Sequence, residues 1–280
     1  MHQLVHKFLF LTLLLPGVIS FAGNNKDSLE LIDNVGFKYQ SQFSSVEKER
    51  IEKLLTSYAY YSQNCLGKYP FPLNFYVSRI ESSRRPLGFC QAKFGESVRG
   101  VYLPMDLRWK NEDFWSMWQI PHEISHLALP ALGRSKRWFF EGFATYMSHE
   151  IMRDMGIYDN ESLEAHYKES FGEIKDDYQS NDTFYETVLN HQNSGHYTQF
   201  YRGGAVYFYR ANRALKRKYD TSITEIVKEY QKRRKPNHRT IHQVISCWDE
   251  ILGAKLFTGL MHKLRNKSAK QVMNAVWEND

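Results

Sequence analysis

Around Pro104 the hydrophobic pattern of this 280-residue chain changes from the period of strands to that of helices. Before Pro104, the stretch 73–78 alternates apolar with other side chains, and a period of two predicts a half-buried strand. Two more strands are predicted at 88–94 and 97–103, joined by a turn at Gly95-Glu96. After Pro104 the apolar residues recur at helical spacing. The sequence therefore predicts the α+β fold class, with a small antiparallel sheet followed by a mostly helical part.

Eight segments have the periodicity or the capping residues of a helix. One precedes the sheet and seven follow it: 45–63, then 112–129, 137–153, 162–175, 203–218, 222–234, 241–251 and 268–278. Three of the later segments begin with a capping box, in which Ser222, Thr240 or Ser268 is followed three residues later by Glu or Gln. The polar stretch 176–195 separates two helical blocks. We expect residues 23–280 to form a single domain.

Composition excludes several classes of protein. With 42% hydrophobic and 24% charged residues, the chain is not a disordered, collagen-like or polytopic membrane protein. One segment is strongly apolar, because Lys7 precedes an uncharged run at 8–22 that ends in Ser20-Phe21-Ala22. Residues 1–22 are therefore predicted to be a cleaved secretory signal, and the mature protein to be periplasmic or secreted, without a stable membrane span. The alternative is an uncleaved anchor, although the run is shorter than the roughly 20 residues that span a bilayer.

The positive charge and the cysteines leave alternatives open. The net charge is +6, and the basic runs 216–218 and 232–235 could attract polyanions. Each run also follows a helical pattern, where cations complement the helix dipole, and no nucleic-acid motif accompanies them. Cys65 and Cys90 could form a disulfide in an oxidising compartment, or all three cysteines could be buried thiols. Because there is no Cys-x-x-Cys pair, no thiolate zinc site is expected.

The motif with the clearest chemistry is His122-Glu123-Ile124-Ser125-His126. Residues four apart share one face of a helix, so His122 and His126 can both direct imidazole nitrogens at one Zn²⁺. Glu123 lies beside them, where a carboxylate can accept a proton from water. The apolar residues around the motif predict a buried helix. Pro121 either kinks a longer helix or is the first residue of a helix that begins just before His122.

A catalytic zinc site needs a third protein ligand, and Glu141 is the best candidate. It lies in the aromatic helical run 138–146, where a lone buried carboxylate is unfavourable without a cation. A turn over 131–135 would fold this second helix back against the first. Three other residues are alternative ligands, each of which is also explained as a solvated or structural residue: His149, Glu150 and His166.

Together, the segments 122–126 and 138–146 resemble the gluzincin metallopeptidases of the peptidase-MA-like group, especially the aminopeptidase-N-like and glycyl-aminopeptidase-like families. The resemblance implies a zincin-like catalytic core in which His122, His126 and Glu141 bind one Zn²⁺. It also implies that Glu123 is the general base.

A third segment extends this resemblance. Tyr201-Arg202-Gly203-Gly204-Ala205 is similar to the Tyr-x-Lys-Gly-Ala segment of those enzymes, which implies that Tyr201 donates a hydrogen bond to the oxyanion formed during hydrolysis. His196 is an alternative donor. Arg202 either binds a substrate carboxylate or is a surface charge.

Two departures from those families leave the specificity undecided between endopeptidase and aminopeptidase. Only 14 residues separate His126 from Glu141, which is fewer than in the aminopeptidase-N type. The Gly-x-Met-Glu-Asn motif that holds a substrate N-terminus in that type is missing. An extended substrate could instead add to the strand at 97–103, with Glu96 beside it.

These features predict an exported zinc metallopeptidase that hydrolyses bonds in a peptide or protein substrate. Two other functions are open: a zinc-stabilised binding protein of the cell envelope that has lost turnover, and a module that binds polysaccharide or acidic polymer. Glu123 disfavours the first, because a structural zinc site has no use for a base. The Glu141 segment disfavours the second, because it would then accompany the histidine motif by coincidence.

Overall fold

A four-stranded sheet forms at the N-terminal side of the computed structural model, which describes residues 34–82, 84–95, 98–233 and 239–278. Its strands are β1 (Val35–Tyr39), β2 (Leu73–Arg79), β3 (Gln91–Lys93) and β4 (Gly100–Met105). Their order across the sheet is β1-β2-β4-β3, so β1 and β3 form its edges. The signal segment predicted at 1–22, and Glu96 of the predicted turn, lie outside the described residues.

The α+β fold class is confirmed, but the sheet is mixed rather than antiparallel. β2 is parallel to both β1 and β4, and only β3 and β4 pair antiparallel. β1 is an additional strand, and helix α1 (Ser45–Leu66) connects it to β2, as a parallel pair requires. The alternation of side chains defines the two faces of a strand but not its neighbours. The pattern therefore left the strand directions undetermined.

Ten further helices follow the sheet in the described ranges: α2 (Asn111–Trp115), α3 (Gln119–His126), α4 (Arg137–Asp154), α5 (Asn160–Gly172), α6 (Phe184–Asn193), α7 (Tyr197–Tyr219), α8 (Ile223–Arg233), α9 (Ile241–Leu252), α10 (Leu256–Asn266) and α11 (Ala269–Asn274). The long helix predicted at 112–129 is instead two helices, α2 and α3. Pro121 lies in the first turn of α3, where its missing N–H needs no partner within the helix. None of the described helices is long and apolar enough to cross a membrane.

Two of these helices are absent from the sequence-based prediction. α6 begins inside the stretch 176–195, which was expected to be a turn-rich separator. Its N-terminus is a capping box, since the Thr183 hydroxyl accepts a hydrogen bond from the Glu186 N–H and the Glu186 carboxylate accepts one from the Thr183 N–H. The capping box in the sequence was therefore a signal for this helix. α10 buries Phe257 and Leu260 at helical spacing.

The helices α4 and α7 cross with their backbones in direct contact. A Cβ atom on Gly142 of α4 would overlap the backbone of Gly204, and one on Gly204 would overlap the carbonyl oxygen of Trp138. Gly203 similarly leaves room for the hydroxyl of Tyr178. Each helix therefore needs glycine where it faces the other. This close approach brings together residues on α4 and α7 that lie far apart in the sequence.

An aromatic cluster fills the core beside this crossing. Phe139 packs against Phe208 and Trp248, with ring centroids 4.9 and 6.2 Å apart. Phe143 also contacts Phe208, at a centroid distance of 5.5 Å. All four side chains are fully buried. The cluster therefore fixes α4 against both α7 and α9.

The three cysteines are free thiols. Cys65 and Cys90 are buried and Cys247 is half-buried, so the disulfide alternative is not realised. Burial raises the pKa of the Cys90 thiol to about 12. The alternative of three buried thiols holds for Cys65 and Cys90, whereas Cys247 is only half-buried.

The helix crossing makes Gly142→Ala a sensitive test of the fold. We expect the added methyl to lower the free energy of unfolding by about 1–3 kcal/mol or more, because it meets backbone atoms that no rotamer change can move. Urea unfolding followed by circular dichroism measures this change. Gly259→Ala is the matched control, since nothing lies within 4 Å of its Cβ position, and it should raise stability by about 0.5–1 kcal/mol. Equal stabilities of the two variants would contradict the crossing.

Candidate metal centre

The two histidines of the sequence motif converge on one oxygen atom. His122 and His126 are buried one turn apart on α3. The Nε2 atom of His122 lies 3.2 Å from Oε2 of Glu141, and that of His126 lies 3.3 Å from the same oxygen. The apolar face of α3 holds this arrangement in place, because Ile120 and Ile124 are fully buried in the core. The structure therefore brings the third candidate ligand next to the other two.

Glu141 is a buried carboxylate on the second turn of α4. Burial alone would raise its pKa, but the hydrogen bonds from His122 and His126 outweigh burial and hold the pKa well below the ordinary value. The second carboxylate oxygen, Oε1, accepts a hydrogen bond of 3.2 Å from Nε of Arg137, one turn earlier on the same helix. The group is therefore negatively charged, with one oxygen tied to Arg137 and the other facing both imidazoles.

Glu123 points from α3 toward the sheet. Its Oε2 atom accepts a hydrogen bond of 2.6 Å from the backbone N–H of Ala92 on the edge strand β3. Burial raises the pKa of Glu123, while His122 and the Ala92 N–H oppose that rise. Ligand-type atoms of His122, Glu123 and His126 all lie within 4.8 Å of one another. A carboxylate whose pKa is raised therefore lies beside the two imidazoles without sharing their hydrogen bonds to Glu141.

Tyr201 lies on the second turn of α7 and covers His122. The two rings stack with centroids 5.8 Å apart and planes inclined by 12°. The Tyr201 hydroxyl is 3.5 Å from Nη2 of Arg137. Burial and the nearby Glu141 raise the pKa of Tyr201, which Arg137 partly offsets, so the phenol keeps its proton. The structure therefore brings the predicted oxyanion donor to the same cluster.

The alternative candidates have partners outside this cluster. His149 and His166 pair with each other through Nε2 atoms 3.1 Å apart. Glu150 accepts a hydrogen bond from the Tyr146 hydroxyl and forms an ion pair with Arg153. His196 pairs with His191 at the start of α7, and Arg202 pairs with Glu173. Arg202 is therefore paired with a carboxylate outside this cluster, which favours its interpretation as a surface charge.

Arg137 and two aromatic rings are site residues that the sequence-based analysis missed. Arg137 contacts both Glu141 and Tyr201. Phe140 stacks on His126 with centroids 4.2 Å apart, and Trp118 meets His122 edge-on at 5.0 Å. The signal for Arg137 was its position four residues before Glu141, since such pairs share a helix face. Nothing in the sequence pattern marked the two rings.

The edge strand beside the site is β3, which corrects the strand expected to receive the substrate. The strand predicted at 97–103 corresponds to β4, which lies between β2 and β3 and so has both edges paired. β3 covers only Gln91–Lys93, and its Ala92 N–H faces Glu123. The strand edge beside the proposed base is therefore that of β3, one strand further out than expected, and its Ala92 N–H donates a hydrogen bond to Glu123.

The donor set fits a zinc ion. Two imidazole nitrogens and one carboxylate oxygen from two helices are the ligands of the His₂Glu class of catalytic zinc sites. The Nδ1 atoms of His122 and His126 are buried and make no hydrogen bond to any described residue. In many zinc sites this outer nitrogen donates to a carboxylate or carbonyl, which orients the ring. Here Tyr201, Trp118 and Phe140 orient the two rings by stacking and edge contacts.

Solved structures with a similar fold are zinc metallopeptidases. An M1 zinc metallopeptidase variant from Deinococcus radiodurans, bound to a Tyr-Ser-Ala substrate, matches 82% of this chain and 48% of its own, with a TM-score of 0.52 and 13% identity. A two-domain M1 zinc metallopeptidase variant bound to L-arginine matches the same shares of the two chains, with a TM-score of 0.52 and 14% identity. The likeness shows a zincin-like fold. This chain spans about half the length of these neighbours.

Comparison at the level of sequence gives no further relative. The chain matches no protein-family model and no curated protein. The similarity to the metallopeptidases is therefore one of fold, and the roles of individual residues depend on the geometry described above.

Metal content tests the three-ligand site. We expect the purified protein to hold one zinc ion per chain by inductively coupled plasma mass spectrometry. Glu141→Ala should weaken zinc binding by more than the roughly 10–100-fold that loss of an outer-shell partner costs, because it removes a ligand. His166→Ala is the control, since His166 lies outside the cluster, and it should keep the metal. Full zinc content in Glu141→Ala would refute the ligand role of Glu141.

Proposed function

We propose that this chain is a zinc-dependent metallopeptidase that hydrolyses peptide bonds. The observation that carries the proposal is the convergence of His122 and His126 on one oxygen of Glu141, with Glu123 beside them. The zincin-like fold supports it, because the similar solved structures are zinc metallopeptidases.

In this proposal His122, His126 and Glu141 hold the zinc ion. Zinc bound by such ligands lowers the pKa of a water molecule and polarises the scissile carbonyl group. Glu123 accepts a proton from the attacking water and donates it to the leaving amine nitrogen. Its carboxyl group suits both tasks, since burial raises its pKa and so makes the protonated form easier to reach.

Tyr201 donates its phenolic proton as a hydrogen bond to the carbonyl oxygen as that oxygen becomes negative. The donor is held in advance, because its ring stacks on His122 and its hydroxyl lies near Arg137. A fixed donor stabilises the transition state without reorganisation during the reaction.

The substrate in this proposal is a peptide or protein segment in extended form. It lies along the edge of β3 that is not paired with β4, where its backbone would replace Glu123 as the acceptor of the Ala92 N–H. The Ala92 N–H that bonds Glu123 lies on this edge. Such binding depends on the substrate backbone and is compatible with either an endopeptidase or an aminopeptidase.

We further propose that the protein is exported to the periplasm or secreted. Support comes from the charged Lys7 and the apolar run at 8–22. An extracellular or periplasmic peptidase would meet its substrates after cleavage of residues 1–22.

The general base is tested by Glu123→Gln. We expect this variant to keep one zinc ion but to lose peptide hydrolysis by about 100- to 10,000-fold, because the amide cannot accept the proton. Hydrolysis is measured by mass spectrometry on a peptide mixture, with zinc content determined on the same sample. Glu112→Gln, on the exposed part of α2, is the matched control and should behave as wild type. Full activity of Glu123→Gln would refute the mechanism, and zinc binding without hydrolysis in the wild type would favour the inactive binding protein.

The oxyanion donor is tested by Tyr201→Phe. Removing one such donor costs roughly 100- to 1,000-fold in kcat, and we expect a loss in this range with little change in KM. The stacked ring on His122 remains, so zinc content should stay the same. Tyr197→Phe is the control, because Tyr197 is more exposed and one turn away. A kcat equal to that of wild type would exclude Tyr201 as the donor.

A further inference from the structure

Arg137 places a guanidinium group at the rim of the candidate site. Its Nε atom donates to Oε1 of Glu141, and its Nη2 atom lies 3.5 Å from the Tyr201 hydroxyl. The Nη1 atom makes no hydrogen bond to any residue that the structure describes. The side chain is 42% exposed, so a ligand can reach it from solvent.

Two aromatic rings hold the guanidinium in place. Its central carbon lies 5.3 Å from the ring centroid of Tyr197 and 5.5 Å from that of Phe200. Both rings belong to the first turn of α7, and Tyr201 follows them directly on the next turn. Stacking on aromatic faces leaves the edge of the guanidinium plane free to form paired hydrogen bonds with a carboxylate. Arg137 is therefore oriented before any ligand binds.

The charge balance around Arg137 changes when the site is loaded. Glu141 is its acidic partner in the structure. In the proposed function, the negative charge of Glu141 is balanced by the divalent cation that it binds. Of the described residues that contact Glu141, Arg137 is the one with a permanent positive charge. The dipole of α4 adds to it, because Arg137 is the first residue of that helix. The loaded site therefore has positive charge that Glu123 alone does not balance.

We propose that Arg137 selects substrates that carry a carboxylate close to the scissile bond. This inference rests on the proposed peptidase function and names its substrate class. The carboxylate is either a free C-terminus or the side chain of an aspartate or glutamate. The position follows from Tyr201, because Arg137 lies next to the group that would contact the scissile carbonyl oxygen. Arg202, the other arginine near Tyr201, is paired with Glu173.

The test is a competition between matched peptides. In one set of pairs, each peptide has either a free C-terminal carboxylate or a C-terminal amide. In a second set, an internal Asp is compared with Asn, or an internal Glu with Gln, at each position. Rates from the zinc-loaded protein are followed by mass spectrometry, and zinc content is measured on every variant. We expect an acid-over-amide ratio in kcat/KM of at least about tenfold. If the C-terminal pairs show this ratio, the selected group is the C-terminal carboxylate; if the internal pairs show it, the selected group is an acidic side chain.

Variants assign this ratio to Arg137. Arg137→Met should bring the ratio close to one, and Arg137→Lys should keep part of it, because the charge remains but the planar fork is lost. Lys136→Met removes the neighbouring charge, whose ammonium contacts Ser135, and should leave the ratio unchanged. The ratio compares two substrates on the same protein, so a general loss of activity or zinc does not alter it.

Binding without turnover provides a second measurement. Two zinc-loaded proteins are titrated by calorimetry with the acid and the amide of the best pair. One carries Glu123→Gln alone, and the other carries Glu123→Gln together with Arg137→Met. The acid should bind about tenfold more tightly, and only when Arg137 is present. Equal binding of acid and amide, or a preference that survives in Arg137→Met, would overturn this inference but leave the peptidase. Absence of any hydrolysis in a wild type that holds zinc would overturn both.

Discussion

The backbone contact between α4 and α7 determines the geometry of the candidate site. Gly142 follows Glu141 directly, and Gly204 lies one turn after Tyr201, so both site residues are adjacent to the points where the helices touch. A contact between backbones leaves no side-chain rotamer to adjust the distance. Glu141 and Tyr201 are therefore held relative to each other with the stiffness of two packed helices. The fully buried aromatic cluster of Phe139, Phe208 and Trp248 prevents the pair from separating.

A buried charge is the second constraint. The carboxylate of Glu141 lies among aromatic side chains, where an isolated negative charge would be strongly unfavourable. Three cationic or polar groups compensate for this cost: His122, His126 and Arg137. They divide the two oxygens between them, since the imidazoles contact Oε2 and the guanidinium contacts Oε1. Arg137 therefore determines which oxygen Glu141 presents to the histidines, in addition to the charge that it brings to the site.

More of the candidate ligand set could be predicted from the sequence than of the residues and strands that surround it. The positions of His122, His126 and Glu141 follow from helical spacing and from the cost of an unpaired buried carboxylate, which are both local properties. A strand was predicted at 88–94, where β3 lies, but its place at the edge of the sheet could not be predicted, because strand alternation contains no information about which strands pair. Arg137 was overlooked for another reason. Its contact with Glu141 follows from a four-residue spacing, but its contact with Tyr201 depends on the crossing of α4 and α7.

Helix α6 shows why a missed element matters for the site. The connection from His126 to Glu141 is short, and α4 begins directly after a 3-10 turn over Arg134–Lys136. Gln192 near the end of α6 spans this start, because its Oε1 accepts from the Trp138 N–H at 2.8 Å and its Nε2 donates to the Arg134 carbonyl. One side chain from a polar stretch thus binds the chain on both sides of Arg137. These few contacts fix the short connection, and the helix that supplies them holds the start of α4, which carries both the Arg137 guanidinium and the Glu141 carboxylate.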